Sequence, residues 1–121
     1  MDDRNGLGQE GEQLAVEYLT ANGFVILDRN WRCGHKEIDI VAREGNELVV
    51  VEVKTRNAPV LELPEQAINR QKRKHLVLAA NAYVKINRIS LDVRFDVIYV
   101  VFSGNGVGID HTRDAFFPTL W

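Results

Sequence analysis

Asp39, Glu52 and Lys54 are the residues whose types and spacing could do chemistry in this chain. They sit in a run from Glu37 to Lys54 that reads as a β-hairpin, with β-branched segments on either side of the two-residue turn signal Gly45-Asn46. That turn pairs Glu44 with Glu47, sets Asp39 opposite Glu52, and sets Glu37 opposite Lys54. Opposed strand residues have Cβ atoms about 5 Å apart, and like charges there repel. Two facing carboxylates therefore ask for a cation between them. As hard oxygen donors they suit Mg²⁺ or Mn²⁺ rather than zinc. Lys54 lies two residues beyond Glu52 and so points from the same strand face, where its ammonium could orient a water and stabilise transition-state charge. Glu37, Asp39 and Glu52 against Lys54 sum to −2, matched to one divalent ion. The same residues could instead form a surface ion-pair ladder with hydrated carboxylates.

The elements around them can be read in order. Helical spacing of Gly11, Leu14, Ala15, Tyr18 and Leu19 predicts a first helix over about Gly8 to Asn22, stopped by Gly23. Gly8 and Gly11 lie on one side, as close approach to a sheet would need. Glu12 lies at the edge of the stripe, where it could reach the metal or simply face solvent. A strand follows from Phe24 to Asp28, then a loop from Arg29 to Lys36. In the hairpin, Ile38, Ile40, Ala42, Val49, Val51 and Val53 form an apolar face. Glu37, Asp39, Val41, Val50, Glu52 and Lys54 form the other. After a loop, Pro64 opens a helix to about Ile86, with Ile68, Leu76, Ala79, Tyr83 and Ile86 buried. Lys72 falls within that stripe, so it either snorkels out or reaches an acidic partner at the sheet edge. Strands over Leu91–Phe102 and Val107–His111 precede an aromatic tail, Phe116 to Trp121. The helical link between the third and fourth strands makes that pair parallel if they share a sheet. The fold class is α/β, order αβββαββ, with a central mixed sheet between helices.

At 121 residues the chain, 1–121, is expected to be one domain. Its hydrophobic fraction of 45% and charged fraction of 26% are those of a soluble globular protein. Cys33 is the single cysteine, which excludes an internal disulfide. No apolar run is long enough for a bilayer and the acidic start is not a signal peptide, so a cytoplasmic protein without a membrane partner is expected. The net charge of −2 hides an uneven distribution. Residues 1–23 carry five acids and one arginine, whereas residues 70–94 carry Arg70, Lys72, Arg73, Lys74, Lys85, Arg88 and Arg94 against Asp92 alone. A basic surface beside an acidic pocket suits phosphodiester cleavage, although a solvated helix face accounts for the charge equally well. Zinc at Cys33, His35 and His75 or His111 lacks paired ligand spacing. No glycine-rich phosphate loop or Gly-x-Ser-x-Gly occurs, so NTPase and serine hydrolase readings fail. Trp31 and Arg32 could stack on a base or pack as a lid.

The ordered set Gly8-Gln9-Glu10-Gly11-Glu12, Glu37-Ile38-Asp39 and Glu52-Val53-Lys54 resembles the PD-(D/E)xK nuclease superfamily. With Asn30-Trp31-Arg32, Val51 to Arg56, Pro64 to Ile68, Lys72 and Arg94-Phe95-Asp96-Val97, nearly the whole chain resembles the YraN-like bacterial family, related to archaeal Holliday junction resolvases. That resemblance implies a restriction endonuclease-like three-layer fold. It implies a catalytic set of Glu12, Asp39, Glu52 and Lys54, with Asp39 and Glu52 holding Mg²⁺ (or Mn²⁺). It implies hydrolysis of DNA, duplex or branched, by in-line attack of a water activated at the metal. Arg56, Arg70, Lys72, Arg73 and Lys74 become the nucleic-acid-binding candidates, and a homodimer is expected because symmetric cutting needs two sites. Lys36 and Gln66 depart from the residues common in relatives, glycine and glutamate, and neither belongs to the metal-binding core. The competing reading is a nuclease-like module that binds nucleic acid, or serves as an assembly subunit, without cutting.

Overall fold

The computed structural model describes residues 3–63 and 68–117, with side chains from Gly6 onward. Seven elements follow one another: α1 (Asp3–Ala21), β1 (Val25–Cys33), β2 (Lys36–Glu44), β3 (Glu47–Asn57), α2 (Arg70–Asn87), β4 (Asp92–Ser103) and β5 (Gly106–Thr112). The strands form one sheet in the order β1-β2-β3-β4-β5. Only β3 and β4 run parallel, so the sheet is mixed. This is the expected α/β order αβββαββ, in three layers.

The sheet is central because its middle strand is apolar on both sides. Leu48, Val49, Val50 and Val51 are all fully buried, the near-continuous hydrophobic run of a strand covered on both faces. Val49 and Val51 pack with Ile40, Ile98, Val100 and the α1 residues Ala15 and Leu19. Leu48 and Val50 pack with Val41, Phe95, Val97 and the α2 residues Leu76, Ala79 and Tyr83. Each helix thus closes one face.

The hairpin turns where expected. Glu44 pairs with Glu47, and the register continues through Ile40–Val51. Gly45 takes φ +58, the positive value that the first position of a II′ turn requires. Beyond Ile40 and Val51 the ladder stops, and the expected Glu37–Lys54 pairing does not form. Glu37 instead lies 3.7 Å from Arg32 Nε. The expected division into one apolar and one polar face also fails. Ile38 and Ile40 pack in opposite layers, so the alternation of β2 breaks between them, at Asp39. On the neighbouring strand Asn30 holds φ +50, between the pairs Arg29–Ile40 and Trp31–Ile38. That matched irregularity on two strands turns Asp39 out of the regular pleat.

Other boundaries moved too. β1 does not end at Asp28 but runs on to Cys33, so only Gly34-His35 forms the turn before β2. Trp31 is therefore a strand residue, packed edge-on against Tyr83 with centroids 5.2 Å apart. α2 begins at Arg70, capped by the Asn69 side chain, which accepts from Lys72 N at 2.9 Å. Ile68 is buried just ahead of the helix, whereas Ile86 is 60% exposed rather than core. The expected helix start at Pro64 lies outside the described residues. Gly11 is the close-approach position, since a Cβ there would overlap the Thr55 side chain on β3, while Gly8 faces open space. Phe116 stacks on Phe95 at 4.8 Å and Phe117 is 73% exposed. The rest of the aromatic tail lies outside the described residues.

One charged cluster ties the hairpin end to β4 and β5. The buried Arg94 guanidinium donates Nε and Nη2 to the two carboxylate oxygens of Asp96, each at 2.9 Å. Its Nη1 donates to Glu47 at 3.0 Å and pairs with Glu44 at 2.9 Å. His111 Nε2 lies 2.8 Å from Asp96, and its Nδ1 lies 2.9 Å from the Tyr18 hydroxyl. The His111 side chain is only 5% exposed. Burial alone would push the Asp96 carboxyl up, but His111, Arg94 and the Asp114 N–H hold it below the usual range.

Candidate active site

The break in β2 decides where Asp39 goes. Where the hairpin register would place Asp39 opposite Glu52, the carboxylate of Asp39 accepts the Val53 backbone N–H through Oδ2 at 2.9 Å. A side chain has replaced the missing backbone acceptor, which fixes the carboxylate against β3.

Glu52 is the most enclosed acid of the group, its side chain 8% exposed. Its Oε1 lies 3.7 Å from Lys54 Nζ and 3.6 Å from Lys72 Nζ. Of the two possibilities for Lys72, reaching an acid is the one realised, but that acid lies on the middle strand β3 and not at the sheet edge. Burial pushes the Glu52 carboxyl up to about 7, and the charge of Asp39 adds to the rise while Lys72 and Lys54 oppose it. Burial also raises the Asp39 carboxyl, partly offset by the Val53 N–H bond and by Lys72. Glu12, on α1, is raised by burial and then by Asp39. It is held by Asn30 Nδ2 at 2.9 Å and by Arg29 Nε at 3.5 Å. The structure thus brings Glu12, Asp39, Glu52 and Lys54 together, and adds Lys72.

The geometry follows from three local causes. The absent side chain of Gly11 lets α1 settle on Thr55, which carries the next residue, Glu12, to the sheet edge. The stop in the β2–β3 ladder frees Asp39 from the pleat. The Asn69 cap starts α2 so that Lys72 lies in its first turn, above β3.

Two cavities flank Asp39, and Glu52 and Lys54 line neither. The larger, about 790 Å³ on the α1 side, is lined by Glu12, Asn30, Arg32, Glu37, Asp39 and Arg56 among others. The smaller, about 390 Å³ on the α2 side, also includes Glu37 and Asp39 in its wall. Asp39 therefore borders both.

As a donor set, Asp39 and Glu52 offer hard oxygens with raised proton affinity, which a cation would relieve. Among the described residues no group of three or more His, Cys, Asp or Glu side chains stands together at metal-holding separation. A two-carboxylate site matches Mg²⁺, which keeps several waters, and does not match structural zinc.

The basic candidates separate. Arg56 lines the larger cavity but donates Nε to Glu62 at 2.8 Å, and its guanidinium lies 6.0 Å from the Tyr99 ring centroid. Arg73 turns to the Ile68 carbonyl at 3.0 Å and toward Phe116. Arg70 and Lys74 are exposed. Sequence reasoning passed over Asn30, Arg29 and Glu62, whose roles depend on a positive φ and on tertiary approach.

Among the described residues no helix is long and apolar enough to cross a membrane. The family model described as "Uncharacterised protein family UPF0102" matches residues 11–100. A UPF0102 protein of Bacteroides thetaiotaomicron is 48% identical over 121 residues, covering 100% of both chains. One of Bacteroides fragilis is 45% identical over the same length and coverage. One of Porphyromonas gingivalis is 45% identical over 118 residues, spanning 96% of this chain and 87% of that relative.

Proposed function

Since the chain belongs to the UPF0102 family, whose name assigns no reaction, we propose from the site itself that it is a divalent-metal-dependent endonuclease. It would hydrolyse DNA phosphodiester bonds, with branched DNA among its substrates. The observation that carries this reading is the meeting of Asp39 and Glu52, from strands whose regular pairing has just ended, with Lys54 and Lys72 beside them. Burial raises the proton affinity of both acids, and the Asp39 charge raises Glu52 further; buried acids of this kind are costly to the fold, and such perturbation marks functional sites.

Asp39 and Glu52 would hold Mg²⁺ or Mn²⁺, whose contribution when bound is charge neutralisation on the phosphate and a lowered pKa for water. The chain's own groups do the rest. Asp39 keeps one oxygen on Val53 N while it borders both cavities. Glu12, steadied by Asn30, adds negative charge on the α1 side. Lys54 and Lys72 supply donors for the phosphate oxygens that gain charge in the transition state. Arg56 would join them by exchanging Glu62 for a backbone phosphate. For symmetric cutting two copies would act together.

The two lysines on one oxygen of Glu52 also favour a second reading, in which they satisfy the acid permanently and the domain binds nucleic acid without cutting. Calorimetric titration of Mg²⁺ and Mn²⁺ into wild type and Asp39→Asn, paired with cleavage of duplex, flap and four-way DNA, separates the two. Metal binding lost in the variant and metal-dependent cleavage by wild type support the endonuclease. Absence of both supports the binder.

A further inference from the structure

The smaller cavity has a character different from the acids it borders. The cavity, of about 390 Å³, is lined by His35 from the β1–β2 turn, Lys36, Glu37 and Asp39 from β2, and Lys72 and His75 from α2. Most arginines nearby are committed: Arg29 to Glu12 and Gln13, Arg32 to Glu37, and Arg56 to Glu62. By contrast, the side chains of His35, Lys36 and His75 make no hydrogen bond or ion pair among the described residues. Three uncommitted nitrogen donors, from the β1–β2 turn, the start of β2 and α2, face one cavity next to the candidate reaction centre. Lys72 joins the two regions, since it lines the cavity while its Nζ lies 3.6 Å from Glu52.

We infer that this cavity is an anion subsite that seats a nucleic-acid backbone phosphate neighbouring the one at Asp39 and Glu52, with His35, Lys36 and His75 as its donors. The inference rests on the endonuclease reading for the identity of the anion, though not for the existence of the site. The donor types suit the task, because a compact ammonium and two imidazoles on one cavity wall can each donate to a phosphate without needing one another. A phosphate here would run the substrate strand past the exposed end of β2, from α2 toward the larger cavity on the α1 side. The subsite therefore contributes positioning, and no bond is made or broken in it.

The test uses ring-nitrogen NMR of the full chain at one fixed pH in chelator, with three probes: inorganic phosphate, thymidine dinucleotide, and its 5′-phosphorylated form. His35 and His75 signals are expected to move with the dinucleotide diester while His111, buried against Asp96, does not. Response to inorganic phosphate alone would overturn the backbone assignment, and no response, or equal response at His111, would overturn the subsite. In anisotropy with labelled single-stranded DNA, His35→Ala/Lys36→Ala/His75→Ala is expected to bind about tenfold more weakly, with a salt slope shallower by about one or more. Equal affinity of the triple variant and wild type would overturn the proposal. Failures are separable: cleavage without ring shifts removes the subsite alone, whereas ring shifts without cleavage remove the endonuclease alone.

Discussion

Replacing Glu52 by glutamine should stabilise the metal-free protein, and by an amount set by pH. The carboxyl rises from an ordinary 4.5 to about 7, chiefly by burial and then by the Asp39 charge. The folded state therefore holds a proton on Glu52 that the unfolded state has released, so stability falls as pH climbs from the first value through the second. At about 1.4 kcal/mol per decade the penalty approaches about 3 kcal/mol above the folded pKa. For a chain this size that is a melting difference of about 10 °C. Glutamine keeps the shape and removes the charge. Its melting temperature should match wild type near about pH 4, where both side chains are neutral, and exceed it progressively toward about pH 8. Thermal denaturation in chelator across that range is the assay. A flat difference, or a variant less stable at high pH, would refute the reasoning, because Lys54 and Lys72 would then outweigh the cost of burial. Adding millimolar Mg²⁺ at high pH should raise the melting point of wild type and leave the glutamine variant nearly unmoved, since only a ligand of the folded state stabilises it.

Gly11→Ala should destabilise by about 1–2 kcal/mol by chemical denaturation, because overlap with Thr55 outweighs the helical preference of alanine; a stabilised variant would show that α1 does not rest there. Arg94→Met should cost about 3–5 kcal/mol in the same assay, since it strands Asp96 without its bidentate partner, and a neutral result would mean His111 alone suffices. Lys72→Met should lower metal-dependent cleavage by tenfold or more, about 1.4 kcal/mol or above of lost transition-state stabilisation. Unchanged cleavage would reduce Lys72 to a packing role. Asn30→Ala should loosen Glu12 and lower cleavage through kcat with little change in KM; a pure KM effect would place Glu12 in substrate binding instead.

Much of this could be read before any coordinates, and the reasons differ by region. The hairpin was legible because Gly45-Asn46 fixes a two-residue turn, and a slip by one would bury charge. The apolar spacing of Ala15 and Leu19 announced α1, and the parallel β3–β4 pair followed from the helix between them. The expected polar face was not there, because both faces of the sheet are covered and Val41 and Val50 belong to the α2 layer. Nothing in the local sequence reports that Asn30 takes a left-handed backbone and that Asp39 leaves the ladder beside it. That is a property of two strands meeting. β1 was cut short because Arg29-Asn30-Trp31-Arg32 is polar enough to resemble a loop, yet strand pairing with β2 carries it through to Cys33. The approach of Lys72 to Glu52 was open until α2 was placed by its asparagine cap.

Asp39 carries a structural duty beside its proposed chemical one, and that affects how the protein can be dissected. One oxygen serves as a surrogate rung in the architecture, standing in for a peptide carbonyl that β2 no longer offers to Val53. Truncation to alanine would leave that amide without an acceptor and blur a lost reaction with a damaged scaffold. Asparagine can still present an oxygen to Val53 while surrendering the charge. Evolution faces the same constraint, since drift at this position must satisfy the frame of the molecule even after any chemistry there has been abandoned.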